Sequence, residues 1–170
     1  LDTLQALLDM SEPRGLTWQA THLSIADIHQ RESNNEQALV HLAPLLEEGT
    51  DGRVSGRAML IKGRLFENED KKAEAANSYR MALEIQETEP ETKEEARVSL
   101  ARLLLESGDA RAAMELADLP PSALSQARLG EARNALDGNE PQKALEVYNE
   151  ILAQPDIEDS IHRAARAGSA

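Results

Sequence analysis

Four histidines, His22, His29, His41 and His162, are the side chains of this 170-residue chain best suited to bind a transition metal or move a proton near neutral pH. His22 and His29 lie seven positions apart, on one helix face, with Asp27 between them. A metal centre needs ligands that are closer together or that converge from several elements. The spacing therefore reads as polar residues on a partly exposed helix. Glu87, Glu89, Glu91, Glu94 and Glu95 crowd one stretch, but they read as solvated helix starts rather than a paired acid and base. Asp137-Gly138-Asn139-Glu140 lacks the alternating carboxylates of a calcium loop and reads as a turn. No glycine-rich phosphate loop, G-x-S-x-G elbow or H-E-x-x-H pair is present. With no cysteine there is neither thiolate chemistry nor a disulfide framework. No catalytic residue, cofactor or metal site is expected, and the chain does not read as an enzyme.

The elements that carry these residues are helices. Aromatic residues are only 2 % of the chain, too few for a sandwich or barrel core, and Ala, Leu, Glu, Arg and Gln favour helix. Leu1, Leu4, Leu7 and Leu8 form a first helical stripe ending at Met10. A second helix runs to Arg31 with Thr17 as its expected N-cap. A third covers 36–47, with Pro44 predicting a kink or an early end. Helices are expected over 53–67, 71–86 and from Pro90 to about Ser107. One over 110–119 is cut short by Pro120-Pro121. The last three are expected over 122–136, 141–153 and 157–167, with Pro155-Asp156 between the final two.

Small residues impose a longer period. Ala26, Gly63, Ala101 and Ala132 each precede an alanine by twelve positions: Ala38, Ala75, Ala113 and Ala144. The alanines are 37, 38 and 31 residues apart. Two helices cross closely only where side chains are small, so the pattern predicts repeated helix pairs stacked into a solenoid. The expected repeats are 17–50, 53–88, 91–120 and 122–155 of one domain. The pieces 1–10 and 157–167 cap the ends or continue into neighbours. The chain begins at Leu1 and ends in Ala167-Gly168-Ser169-Ala170, so it reads as a fragment of a longer protein.

These residues resemble the tetratricopeptide repeat family, a 34-residue helix–turn–helix unit. Ala75, Tyr79 and Ala82, and again Ala144, Tyr148 and Ile151, match its second-helix pattern. The copy at Ala38 is looser, and the one at Ala113 fails after Ala117. Lys62 and Glu131 stand where the family has apolar residues, and the longer periods make the array irregular. The resemblance spans about Trp18 to Pro155. It implies an all-α, right-handed α-α superhelix whose first helices line a concave face. The family's register puts Leu23, Leu60, Val98 and Leu129 in one row of that face, and Asp27, Arg64, Arg102 and Arg133 in the next. Guanidinium groups fit carboxylates as planar forks, so this row suits a peptide with acidic and apolar side chains. The competing expectation is local pairing of Arg64 with Glu67, Arg102 with Glu106 and Arg133 with Asp137. The family's clamp for acidic chaperone tails is absent, because Leu23, Asp27, Ile61, Glu95 and Ser99 occupy its basic and asparagine positions.

The formal net charge of −13 opposes nucleic-acid and anionic-membrane partners. No apolar run predicts a membrane span or signal peptide. The sequence thus predicts a non-catalytic scaffold that binds a protein or peptide partner through its concave face. The alternative is a spacer or assembly segment of a larger membrane-tethered or secretion-related bacterial complex, with its contacts, self-association included, through its ends and convex face. Bacterial cytoplasm and periplasm both fit this composition.

Overall fold

A computed structural model describes residues 1–154 and 158–169. The described residues are all-helical, with ten α-helices and one 3₁₀ turn and no strand. In order the helices are α1 (Asp2–Met10), α2 (Leu16–Arg31), α3 (Asn35–Leu42), α4 (Gly52–Asn68) and α5 (Lys72–Glu84). They continue as α6 (Pro90–Glu106), α7 (Ala110–Met114), α8 (Pro121–Asp137), α9 (Pro141–Leu152) and α10 (Asp159–Gly168). The expected stop at Pro155-Asp156 and the expected start at Ile157 fall outside the described residues.

The caps and breaks follow local chemistry. The Asp51 side chain accepts a hydrogen bond from the Arg53 N–H at 2.9 Å, and Asp109 accepts one from the Ala112 N–H at 3.0 Å. Gly15 rather than Thr17 caps α2, so that expected cap moves two positions upstream. Pro44 has no N–H to continue the ladder, and α3 tightens into the 3₁₀ turn Ala43–Leu46. Residue 119 precedes Pro120, which disfavours helix there, and α7 stops early at Met114.

One turn recurs four times. After α2, α4, α6 and α8 the chain reverses at Ser33, Asp70, Gly108 and Asn139, with φ of 61°, 56°, 82° and 59°. In each case the next N–H closes back five residues: Asn34 to His29, Lys71 to Phe66, Asp109 to Leu104 and Glu140 to Ala135, all at 2.8 Å. This is a Schellman-type stop, the ending that frees a chain to reverse and start an antiparallel neighbour. The four reversals are spaced 37, 38 and 31 residues apart, the spacing of the alanines. The helix pair is therefore a repeated backbone unit as well as a sequence pattern.

The chain divides into two compact units, Leu1–Arg97 and Val98–Ala170, with the boundary inside α6. In the first unit, α2 packs on α3 and α4 on α5. Ala26, Ala38, Leu42, Leu45, Ala58, Ile61 and Leu65 form one core there, with Trp18 and Leu23 against it. In the second unit, α8 packs on α9 and α9 on α10 around Leu129, Ala132, Ala144, Tyr148, Ile151 and Ile161. Every alanine of the twelve-residue pattern is at most 1 % exposed, and Gly63 is buried. Tyr79 lies over Gly63, and Tyr148, its counterpart, lies over Gly168.

Candidate functional site

A concavity lies in the first unit, between α2, α4 and the start of α6. It is an open groove of about 580 Å³. Leu16, Ala20 and Leu23 recur along α2 at helical spacing and make one apolar wall, which Val54 of α4 extends. The other side is charged: Asp51, Arg53 and Arg57 come from the start of α4, and Glu89, Glu91 and Thr92 from the start of α6. Two glycines set this geometry. A Cβ on Gly52 would lie 2.7 Å from Glu87 Oε2, and one on Gly56 would collide with the buried Thr88 side chain. Glycine at both positions lets the segment before α6 lie directly on α4.

Arg57 and Arg64 are two turns apart on α4 and project on one side of it. Both reach the same carboxylate oxygen of Glu95: Arg64 Nη2 at 2.6 Å and Arg57 Nη1 at 3.3 Å from Oε2. Both guanidinium side chains stay about one-third exposed. One carboxylate shared by two guanidinium groups leaves several N–H donors and one unit of positive charge free for a further acceptor. Arg53 is engaged differently: Asp51 binds it at 3.2 Å, and the Arg53 contact holds the Asp51 carboxyl below its usual range.

The residues expected on the binding face part company here. Leu23 lines the groove. Asp27 stands on the same helix and binds Arg31 at 2.7 Å. Arg64 pairs with Glu95 on α6 instead of Glu67, the local partner expected for it. Leu60 and Leu129 are buried. Leu60 is 0 % exposed, because α4 is buried on more than one face, and Leu129, at 8 %, belongs to the core around Tyr148. In the second unit, Val98 is exposed, Arg102 takes its expected partner Glu106 at 2.9 Å, and Arg133 is exposed without an ion pair to any described residue.

Sequence reasoning did not single out Arg57 or Ala20, and it read Glu95 only as a solvated helix-start residue and a mismatch to the chaperone clamp, although a signal existed. In the register that the resemblance implies, the helix position six before each small residue is Ala20, Arg57 and Glu95. The groove uses two of these residues, and the third binds one of its arginines, Arg57. Among the described residues, no three His, Asp or Glu side chains are placed to hold a metal ion. Compared with protein-family models, with curated proteins and with solved structures, the chain matches none.

Proposed function

We propose that this chain is a non-catalytic interaction scaffold, an irregular member of the tetratricopeptide repeat class, and that the groove between α2, α4 and α6 holds a peptide segment of a protein partner. The observation that carries this reading is an apolar wall, Leu16, Ala20, Leu23 and Val54, facing Arg57, whose guanidinium group shares Glu95 with Arg64 two turns further along α4. Apolar area supplies affinity, and a few polar groups at its edge fix orientation. The partner segment presents apolar side chains to α2 and a carboxylate to Arg57 and Arg64. Glu89 and Glu91 restrict where that negative charge can sit. The fourfold hairpin turn and the buried small residues support the family reading.

The test is capture of a partner by the wild-type chain and by the Arg57→Ala, Arg64→Ala double variant, with circular dichroism to establish that both are folded. Loss of the partner in the variant is expected. Equal capture by both would remove the groove from consideration.

A second reading, an assembly segment acting through its ends, draws on α1. That helix has no buried residue, and Leu7, Met10 and Leu16 around it are 42 %, 86 % and 68 % exposed. Apolar surface concentrated in this way is a feature of association sites. Sedimentation of wild type and Leu7→Glu, Met10→Glu would separate the readings, since self-association should vanish in a variant whose groove wall is unchanged. No described helix is long and apolar enough to cross a membrane.

A further inference from the structure

Three of the four histidines converge in the first helix pair, away from the groove's ion pairs. His22 Nδ1 on α2 lies 3.1 Å from His41 Nδ1 on α3. The two rings are 5.0 Å apart. His29, two turns after His22, stacks on the other side of His41 at 6.0 Å and 28°. Trp18 closes the other end, edge-on to His22 at 4.2 Å. The order Trp18, His22, His41, His29 is thus a row of rings wedged between α2 and α3. The Nδ1 of His29 is buried with no hydrogen-bond partner among the described residues.

The 3.1 Å contact has a strict proton requirement. One Nδ1 must carry hydrogen and donate, and the other must offer its lone pair. If both imidazoles are protonated, two N–H groups face each other, the hydrogen bond is lost, and two positive charges meet in a partly buried space. We propose that the His22–His41–His29 row is an acid-sensitive lock between α2 and α3, closed at neutral pH and opened when the facing imidazoles both take up protons.

The surroundings give the extra charge little relief. Asp27 is held by Arg31, and Glu36 is exposed at the start of α3. The 3₁₀ turn Ala43–Leu46 carries no titratable group. Helix α4 contributes Val54, Ala58, Ile61 and Leu65 to this core, and its Arg57 and Arg64 are bound by Glu95. Helix α1, which carries Asp2 and Asp9, packs on α2, and Leu4, Leu7, Thr17 and Thr21 line an open space between them. Burial first, and then a neighbouring imidazole, push the proton affinities of His22 and His41 below the ordinary value. The sign follows. The unfolded chain, with histidines near 6.5, binds more protons than the folded one. The stabilisation is fully present above about pH 6.5 and falls away as pH drops below it. Because α2 also carries Leu16, Ala20 and Leu23, opening the pair would remove one groove wall; that consequence alone rests on the function proposed above.

The experiment is thermal unfolding of the wild type and of His22→Gln, His41→Gln between pH 7.5 and 5.0. Glutamine preserves a donor and an acceptor but does not titrate. The wild type should lose Tm over this range by roughly 5 °C or more beyond the loss of the variant. Hydrogen exchange on the wild type, corrected for intrinsic pH dependence, supplies a readout that needs no variant. Protection in α2 and α3 should fall more than in α8 and α9 at the acidic end. Parallel Tm curves, or uniform loss of protection across all four helices, would overturn the lock.

Discussion

A glycine inside a helix usually lowers stability by about 0.5–1 kcal/mol relative to alanine. At Gly63 the sign should reverse, because an added Cβ meets the ring of the fully buried Tyr79. Both residues sit in a packed interface, so overpacking by one methyl should cost about 1–3 kcal/mol. Urea unfolding of Gly63→Ala measures it, and a stabilised variant would mean that Tyr79 moves freely. The paired arginines behave differently. Arg57 and Glu95 are partly exposed, and such pairs are worth about 0–1 kcal/mol. Arg57→Ala should therefore leave the unfolding midpoint nearly unchanged while weakening partner capture. A large loss of stability in that variant would make the Arg57–Glu95 contact structural rather than a ligand edge. The small-residue positions were legible in the sequence because only close helix crossing demands them. Arg57 was not singled out, because an arginine on a helix looks alike whether its partner is water, a local carboxylate or Glu95.

At the scale of the element, the same reversal is built from serine, aspartate, glycine and asparagine. Gly108 has φ of 82° with open space around its Cβ position. Gly108→Ala should thus cost about 1–2 kcal/mol, the strain of a left-handed alanine with no clash added. Ser33 already bears that strain at φ of 61°, so Ser33→Gly should be neutral or stabilising by up to about 1 kcal/mol. Calorimetry on the two variants checks the pair, and loss of stability in Ser33→Gly would show a role for the serine side chain in the turn. The helices themselves were readable, with Pro90 and Pro141 marking two starts, whereas α4 and α8 begin at Gly52 and Pro121, one residue before the expected 53 and 122. The ends near Pro44 and Pro120 were harder. Proline announces a break, yet whether the chain tightens into a 3₁₀ turn or leaves the helix early depends on what the next segment packs against.

For the whole molecule, a formal charge of −13 is a distributed self-repulsion. The ion pairs at Arg14, Arg53, Arg57, Arg64, Arg102 and Arg111 are mostly exposed and separately weak. Screening should therefore relieve more repulsion than it removes attraction, and Tm should rise between about 0.02 M and 0.5 M NaCl. A falling Tm would show that the paired charges outweigh the excess.

The sequence alone determined that the chain is helical and where its recurring helix-reversing turns fall. Helix formers, caps and buried alanines act within one or two turns, and a linear pattern records such local demands fully. Tertiary structure decided which aliphatic residues are surface and which are core: Leu23 lines a groove, whereas Leu60, at the same repeat position, is sealed inside. It also decided that Arg64 reaches Glu95 instead of Glu67, and that His41 enters between His22 and His29. Those contacts join residues 12, 19 and 31 positions apart in different helices. Their distance depends on how two helices cross, and helical periodicity carries no record of a crossing angle.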